Sequence, residues 1–267
     1  MLRTLRNITL AVGLGLGSLG CNDSDSKDSR AVASEAFSLD AVLDETDTPE
    51  ESPNARWWLN SGAQFITRDG TGYTLAGDVP PENPWHDHYA LHNPEASDNG
   101  YHPQNVFRLF GREMHDNARQ ECEFLIRQYH VSISPSRKQS NGILIVSRYQ
   151  DNDNHYYAGL RVDGQAVIKK KLDGTYSTLA VRQLYPGAYD RNTNPNLLPL
   201  NEWIGLSSEV KDTPNGVAIK LAKRTGNSWE TILEAEDSGR IHRAGRNGLW
   251  TDFMDAEFKD YHVHRAE

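Results

Sequence analysis

The sequence predicts an all-β protein whose strands pair antiparallel and pack as a two-sheet sandwich. Short segments of alternating polar and apolar residues follow one another from residue 121 onward, and this alternation is typical of strands with one buried face. Gly, Asn, Asp and Pro separate the segments, and no sustained helical periodicity or fixed-length repeat is present. Two stacked sheets are the economical way to bury so many half-apolar strands.

Three consecutive segments carry the clearest alternation. The first places four apolar side chains on one face, which we expect in the core: Tyr156, Ala158, Leu160 and Val162. Asp-Gly pairs at 163–164 and 173–174 are strong hairpin signals. A β-meander therefore occupies this region, and further strands are predicted at 121–134, 142–150, 203–210, 216–222, 229–234 and 258–264.

The N-terminus has the layout of a secretory signal followed by a lipid attachment site. Arg3 and Arg6 precede an apolar run over residues 8–19 that is too short to span a bilayer. Cys21 follows directly, and the stretch resembles the lipobox of bacterial lipoproteins. This resemblance implies a signal peptide at 1–20, lipidation of Cys21 and, because Asn22 follows, an outer-membrane location on the periplasmic or cell-surface face. Plain secretion with an incidental cysteine is the alternative.

Residues 21–56 are predicted to be a flexible acidic linker. Ser, Asp, Glu and Pro dominate this stretch and large apolar side chains are few, so burial cannot offset the entropy of ordering it. Residues 57–267 are long enough to form one domain with its own core. Cys21 and Cys122 are the only cysteines, so no disulfide framework is expected.

The charge distribution argues against nucleic acid as a partner. The net charge is −9, whereas binding to phosphates needs an excess of Lys and Arg. Much of the negative charge lies between residues 23 and 51, where only Lys27 and Arg30 oppose it. The remainder is close to neutral and is compatible with a locally basic groove. We expect a monomer that contacts the membrane only through its lipid anchor.

Three stretches, "SNGILIVSRYQDNDNHYYAGLRVDG", "EWIGLSSEVKDTPNGVAIKLAKR" and "NGLWTDFMDAEFKDYHVHR", carry a family likeness. Their order resembles that of the concanavalin A-like lectin and glucanase superfamily, and it implies a jelly-roll sandwich from about residue 121 to the C-terminus. Many relatives hold a structural calcium beside the last strand. The matching oxygen ligands would be Asp255, Glu257 and Asp260, and no other cofactor is expected.

The jelly-roll resemblance also implies a concave sheet face, whose ligands in this superfamily are usually sugars. Cationic, aromatic and amide side chains share the outward face of three predicted strands: Arg148, Gln150, His155, Tyr157, Arg161, Lys169 and Lys171. Guanidinium groups pair with carboxylates and aromatic rings stack on sugars. An acidic polysaccharide is the predicted partner, and an ordinary solvated sheet face is the alternative.

Jelly-roll polysaccharide lyases use side chains of the same types. Removing the C5 proton of a uronate requires a neutralised carboxylate, a base and an acid. Candidates for neutralising the carboxylate are Arg108, Arg112, Gln104 and Arg161, and candidates for exchanging protons are Tyr157, Tyr189 and His155. Tyr189 is included because "QLYPGAYDRNTNP" is similar to the catalytic strand of alginate lyase jelly rolls.

A polysaccharide lyase that cleaves by β-elimination is thus the first hypothesis, and a noncatalytic carbohydrate-binding lipoprotein is the second. A glucanase of this fold needs paired carboxylates on one strand. Such carboxylates usually follow the pattern E-x-D-x-x-E. The one match to this pattern consists of Glu45, Asp47 and Glu50, and it falls in the predicted linker. Glycoside hydrolysis is therefore disfavoured.

Overall fold

Two antiparallel sheets account for most of the chain that the computed structural model describes, residues 31–33, 37–239, 241 and 244–266. The strands are β1 (Ala31–Ala33), β2 (Ala41–Asp44), β3 (Trp57–Ser61), β4 (Gln64–Arg68), β5 (Thr71–Thr74), β6 (Val106–His115), β7 (Ala118–Tyr129), β8 (Gly142–Asp151), β9 (Asn154–Arg161), β10 (Gln165–Leu172), β11 (Thr175–Gln183), β12 (Trp203–Thr213), β13 (Gly216–Thr225), β14 (Ser228–Asp237), β15 (Gly245–Asp252) and β16 (Met254–Arg265). Helix α1 (Pro84–His92) and a 3-10 turn (Pro103–Asn105) lie between β5 and β6.

The strand order defines the two sheets. We call the seven-stranded sheet, with the order β11-β10-β9-β8-β15-β6-β3, the front sheet. The back sheet has nine strands, in the order β14-β13-β12-β7-β16-β5-β4-β2, with β1 paired to β16. The predicted all-β, two-sheet antiparallel sandwich is therefore confirmed.

The main core lies between the sheets. Phe124 and Phe258 of the back sheet meet Leu109 and Ile145 of the front sheet in one buried cluster. The four apolar side chains predicted for the inner face of β9 all belong to this cluster. The predicted meander is also present, because β9, β10 and β11 pair in sequence. Gly164 and Gly174 both have a φ of +78° in its two turns, where a side chain would be strained.

The predicted linker is wrong for residues 37–56, which are part of the sandwich. Strand β2 pairs with β4, and Phe37 and Leu43 are buried in the main core. The ring of Phe37 lies 5.6 Å from that of Trp57 and 5.3 Å from that of Phe65. Two apolar side chains suffice in this acidic stretch because they join an existing core instead of having to build one.

The glucanase-like carboxylates are also placed differently from the prediction. Glu45 is in folded chain and accepts hydrogen bonds from the Tyr89 hydroxyl at 2.5 Å and the Ala63 amide at 2.8 Å. Burial raises its pKa. Asp47 and Glu50 are exposed, so the three carboxylates do not share one environment, as the paired carboxylates of a glucanase would.

Candidate functional site

A groove of about 460 Å³ crosses the outer face of the front sheet. We call it the aromatic groove, and its floor is formed by Arg108, Tyr157, Lys169, Tyr176 and Trp250. Its walls come from the segment after α1 and from the loop between β7 and β8. The floor side chains point outward because their neighbours on each strand point into the main core.

Arg108 and Trp250 form the first part of the floor. They are directly paired across β6 and β15, and the guanidinium carbon lies 4.1 Å from the centre of the indole ring. One terminal nitrogen of Arg108 donates to the Asn152 side chain at 3.3 Å, whereas its Nε is buried without a hydrogen-bond partner. Stacking thus holds the guanidinium flat without neutralising its charge.

Lys169 and two tyrosines form the second part. The Lys169 Nζ lies 5.9 Å from the centre of the Tyr157 ring and 5.1 Å from that of Tyr176. Burial lowers the pKa of Lys169, and the nearby charge of Arg161 lowers it further. Burial raises the pKa of Tyr157, so its hydroxyl keeps its proton at neutral pH. The groove therefore offers cations and aromatic faces side by side.

Among the described residues, Asp252 is the one acidic side chain that lines the aromatic groove. Its Oδ1 accepts a hydrogen bond of 2.5 Å from the Trp250 indole. Burial raises its pKa to about 6, although this hydrogen bond and the charge of Arg108 oppose the rise. The carboxyl is thus partly protonated near neutral pH.

A second pocket of about 480 Å³ continues from the groove. We call it the basic pocket, and its lining residues are Arg137, Lys138, Gln139, Ser140, Arg161, Lys169, Tyr189 and Arg191. Lys138, Ser140 and Lys169 line both spaces, so the two are continuous. The Tyr189 hydroxyl is buried without a hydrogen-bond partner, and burial raises its pKa. No acidic side chain lines this pocket among the described residues.

The structure brings together five of the residues predicted for the site. Arg108, Tyr157 and Lys169 line the aromatic groove, and Arg161, Lys169 and Tyr189 line the basic pocket. The lining residues that the prediction missed include Trp250, Asp252, Tyr176, Lys138, Arg137 and Arg191. The Trp-x-Asp spacing of the first two was the available signal, because residues two apart on a strand share a face.

His155 is not in the groove, contrary to its predicted position on an open face. It lies beneath the floor, 2% exposed, with its ring 5.9 Å from that of Trp250. Its Nδ1 is 3.3 Å from the Asp151 carbonyl oxygen. Burial lowers the pKa of His155 to about 4, so the ring is neutral and shielded from solvent.

Arg148 was predicted on the outward face of the sheet, and the structure places its side chain in the interior. A β-bulge in β8 and a φ of +51° turn this residue away from the face, and it is 1% exposed. Its guanidinium donates to the Asp212 carboxylate at 3.1 Å and to the Ile241 carbonyl at 2.8 Å. Gln104 is likewise fully buried and donates to the Gly77 carbonyl and the Asp255 carboxylate. Both side chains therefore make contacts within the fold and do not line the groove.

Three more predicted residues line neither the groove nor the basic pocket. Arg112 donates to the Asn54 carbonyl at 3.1 Å, and Gln150 donates to the Ala244 carbonyl at 2.6 Å. The Nζ of Lys171 pairs with Asp153 at 2.9 Å. These contacts attach neighbouring loops to the front sheet.

The three carboxylates suggested for calcium do not fit a shared site. Asp255 contacts His130 at 2.8 Å and accepts the Gly77 amide at 2.9 Å, and Glu257 pairs with Arg127 at 2.5 Å. Asp260 is exposed. Within the described part of the chain, no group of three or more His, Cys, Asp or Glu side chains is arranged to hold a metal ion. A calcium requirement stays a prediction, and thermal melting with and without a chelator tests it.

The membrane-related predictions concern residues that lie elsewhere. The signal peptide and Cys21 are outside the described residues. Among the described residues, no helix is both long and apolar enough to cross a bilayer.

Comparison with known proteins gives fold similarity only. No protein-family model matches the chain, and neither does any curated protein. A solved carbohydrate-binding module, CBM66 from Bacillus subtilis, is 12% identical with a TM-score of 0.49, over 78% of this chain and 94% of that one. Winged bean acidic lectin in complex with methyl-alpha-D-galactose is 9% identical with a TM-score of 0.47, over 85% of this chain and 98% of that one.

A third similar structure is the GH43 BlXynB protein from Bacillus licheniformis. It is 14% identical with a TM-score of 0.44, over 84% of this chain. The match spans 39% of that protein's own length. The two-sheet antiparallel sandwich is the kind of fold that the sequence resemblance implied, and what it binds has to be argued from its own side chains.

Proposed function

We propose that this protein binds an acidic polysaccharide in the aromatic groove and the basic pocket of the front sheet. The observation that carries the proposal is the lining itself. Arg108 and Lys169 lie beside aromatic rings, Lys138 lines the same groove, and none of the three has a carboxylate ion-pair partner among the described residues. The solved neighbours named above include a carbohydrate-binding module and a lectin, which agrees with this assignment without deciding it.

The arrangement suits a charged sugar polymer. The groove is open along the sheet and continues into the basic pocket, so successive sugars can occupy the two spaces. Indole and phenol rings offer apolar faces to pyranose rings, while the cations pair with carboxylates. A hydrogen bond to a charged group contributes about 1.5–3 kcal/mol, so the loss of one such contact is large enough to measure as a change in affinity.

Binding is tested with the full chain and a panel of uronate-containing and neutral polysaccharides. We expect binding to the acidic members alone, weakening as salt rises because screening acts on exposed charges. Arg108→Gln should weaken binding about tenfold, since about 1.4 kcal/mol is a factor of ten. Equal binding of neutral and acidic polymers, or none to either, would refute the proposal.

Catalysis by β-elimination is the second candidate, and Asp252 is the observation that favours it. A carboxyl with a pKa of about 6 can accept or donate a proton near neutral pH, and the Tyr157 hydroxyl lines the same groove. In this reaction a base takes the C5 proton, the C4–O bond breaks, a C4=C5 double bond forms, and the departing oxygen takes a proton from an acid. The cations would neutralise the uronate carboxylate beforehand.

Two substitutions separate the candidates. If cleavage occurs, Tyr157→Phe should abolish the unsaturated product, followed by its absorbance near ~235 nm, while leaving affinity nearly unchanged. If the protein only binds, wild type shows a flat trace and the substitution changes affinity alone. Asp252→Asn is the second substitution. It removes the proposed base without removing a cation, so it tests the formation of the unsaturated product separately from binding.

We further propose that the chain is exported and anchored through a lipid on Cys21. The support is the signal-like segment before it. Mass spectrometry of the N-terminal peptide from cells tests this proposal. Acylated Cys21 as the new N-terminus supports it, and an unmodified cysteine in a secreted form overturns it.

A further inference from the structure

The basic pocket differs in chemistry from the aromatic groove. Five cations line it: Arg137, Lys138, Arg161, Lys169 and Arg191. The nearest compensation is Asp163, which pairs with Arg161 at 2.6 Å and is only 8% exposed. Burial lowers the pKa of Lys169 and the charge of Arg161 lowers it further, as expected where several cations surround a space of about 480 Å³. An anion of high charge density would relieve the repulsion among these cations.

The guanidinium groups in this pocket are partly committed to the protein. Arg137 donates from Nε to the Ser132 carbonyl at 2.6 Å and from a terminal nitrogen to the Arg191 carbonyl at 2.7 Å. Arg191 donates from one terminal nitrogen to the carbonyls of Ile133 and Ser134. These contacts fix both side chains in place before any ligand arrives.

Arg161 shows the same commitment. Its Nε donates to the Gln139 carbonyl at 3.3 Å and one terminal nitrogen donates to Asp163. A carboxylate is bound well by the two parallel donors on the edge that Nε forms with one terminal nitrogen, and in each of the three arginines at least one donor of that edge is already used. What remains are terminal N–H groups from several elements, to which the Lys138 ammonium and the unpartnered Tyr189 hydroxyl add.

We infer that the basic pocket binds a tetrahedral oxyanion ester, a sulfate or phosphate group carried by the polysaccharide, instead of a uronate carboxylate. Three terminal oxygens that point in different directions match donors that come from different segments of the chain. This inference rests on the proposed function, because it names the group on the polymer that enters the pocket.

The experiment compares polymers that share one backbone. Full-length protein is titrated with dextran sulfate, phosphorylated dextran, carboxymethyl dextran of equal charge per glucose, and unmodified dextran. We expect a sulfated or phosphorylated polymer to bind about tenfold tighter than the carboxymethyl polymer. The difference between sulfate and phosphate then identifies which ester the pocket prefers.

A matched pair of variants locates the effect. Lys138 is exposed and is in no ion pair among the described residues, so Lys138→Met should leave folding intact and reduce the preference for the tetrahedral group to about threefold or less. Lys220→Met makes the same change on the back sheet and should leave the preference unaltered.

The outcomes separate the inference from the proposed function. Equal or tighter binding of carboxymethyl dextran overturns the inference and leaves acidic-polysaccharide binding standing. Binding to the uronate panel with no binding to sulfated or phosphorylated dextran also overturns it. If no polyanion of either set binds, the proposed function fails together with the inference.

Discussion

The outer faces of the two sheets carry the same residue types, but only the cations of the back sheet are paired with carboxylates. On the back sheet, Arg119 pairs with Glu121 at 2.7 Å and Arg224 with Glu123 at 2.6 Å. Both arginines lie near the ring of Trp229, at 6.0 and 5.0 Å. On the front sheet, Arg108 and Lys169 also lie beside aromatic rings. Neither these two cations nor Lys138, which lines the same groove, has a carboxylate ion-pair partner in the described part of the chain.

A binding face and a solvated face therefore differ in whether their cations are paired with carboxylates, and not in which residue types they contain. A cation that already has a carboxylate must lose that contact before it binds an anionic ligand, whereas one without a carboxylate gains a partner. Counting Lys, Arg and Trp would rank the faces alike. The same principle separates neighbours on one strand, because Lys169 faces the groove while Lys170 is buried against Asp237.

The largest expected effect comes from Lys170. Its Nζ donates to both Asp237 oxygens at 2.7 and 2.8 Å and to the Gly239 carbonyl at 2.7 Å. Lys170→Met leaves Asp237 buried without its cation, which costs about 3–5 kcal/mol. Denaturant unfolding measures this change. Lys170 is on the front sheet and Asp237 is on the back sheet. A loss below ~1 kcal/mol would show that this buried pair does not stabilise the packing of the two sheets.

Lys169→Met should lower affinity and leave the stability of the fold almost unchanged. We expect the free energy of unfolding to stay within ~0.5 kcal/mol, as for surface sites, and affinity for an acidic polysaccharide to fall about tenfold. Lys220→Met is the matched control, since Lys220 pairs with Glu234 at 3.2 Å on the back sheet. Equal losses of affinity in both variants would mean that net charge, and not the groove, drives binding.

A smaller, pH-dependent effect is expected from Asp252. Its pKa in the folded protein, about 6, lies above its ordinary value of 3.8. Between these values the folded state holds a proton that the unfolded chain has lost, so the free energy of unfolding falls as pH rises from about 4 to 6. Affinity for a polyanion should also fall through pH 6, because the groove gains a negative charge.

Asp252→Asn checks both parts of that prediction. The variant should remove the decline in stability, measured by denaturant unfolding at pH 4, 5, 6 and 7, and should flatten the pH dependence of binding. An unchanged profile in the variant would assign the effect to another group.

The smallest effect is expected at Trp229. Its ring lies among paired charges on the back sheet, so Trp229→Ala should leave polysaccharide affinity unchanged, whereas Trp250→Ala should lower it about threefold or more. Titration of both variants with one acidic polymer makes the comparison. A loss at Trp229 equal to that at Trp250 would break the distinction between the two faces.

Most of the sandwich could be predicted because alternation along a strand is local. The inner face of β9 and both Asp-Gly turns were readable from a few consecutive residues. The stretch at 37–56 was not, since Phe37 and Leu43 gain their burial from Trp57 and Phe65, which belong to other strands. An acidic composition describes the exposed residues of such a segment and hides the two that are buried.

The candidate site could be predicted only in part. Tyr157 and Lys169 follow from strand periodicity, and Arg108 was predicted because neutralising a uronate carboxylate needs a cation. Arg148 has the same periodicity, yet a bulge with a positive φ turns it inward. Asp252 and Lys138 come from segments far apart in the chain and become neighbours only when the loop between β7 and β8 folds over the front sheet.

The fold class and the buried face of regular strands such as β9 can be read from local residue order, because side-chain alternation is a property of the extended backbone. The total charge can be read in the same way. Which cations have a carboxylate neighbour depends on the folded chain, because an ion pair forms between strands whose register and bulges no single segment encodes.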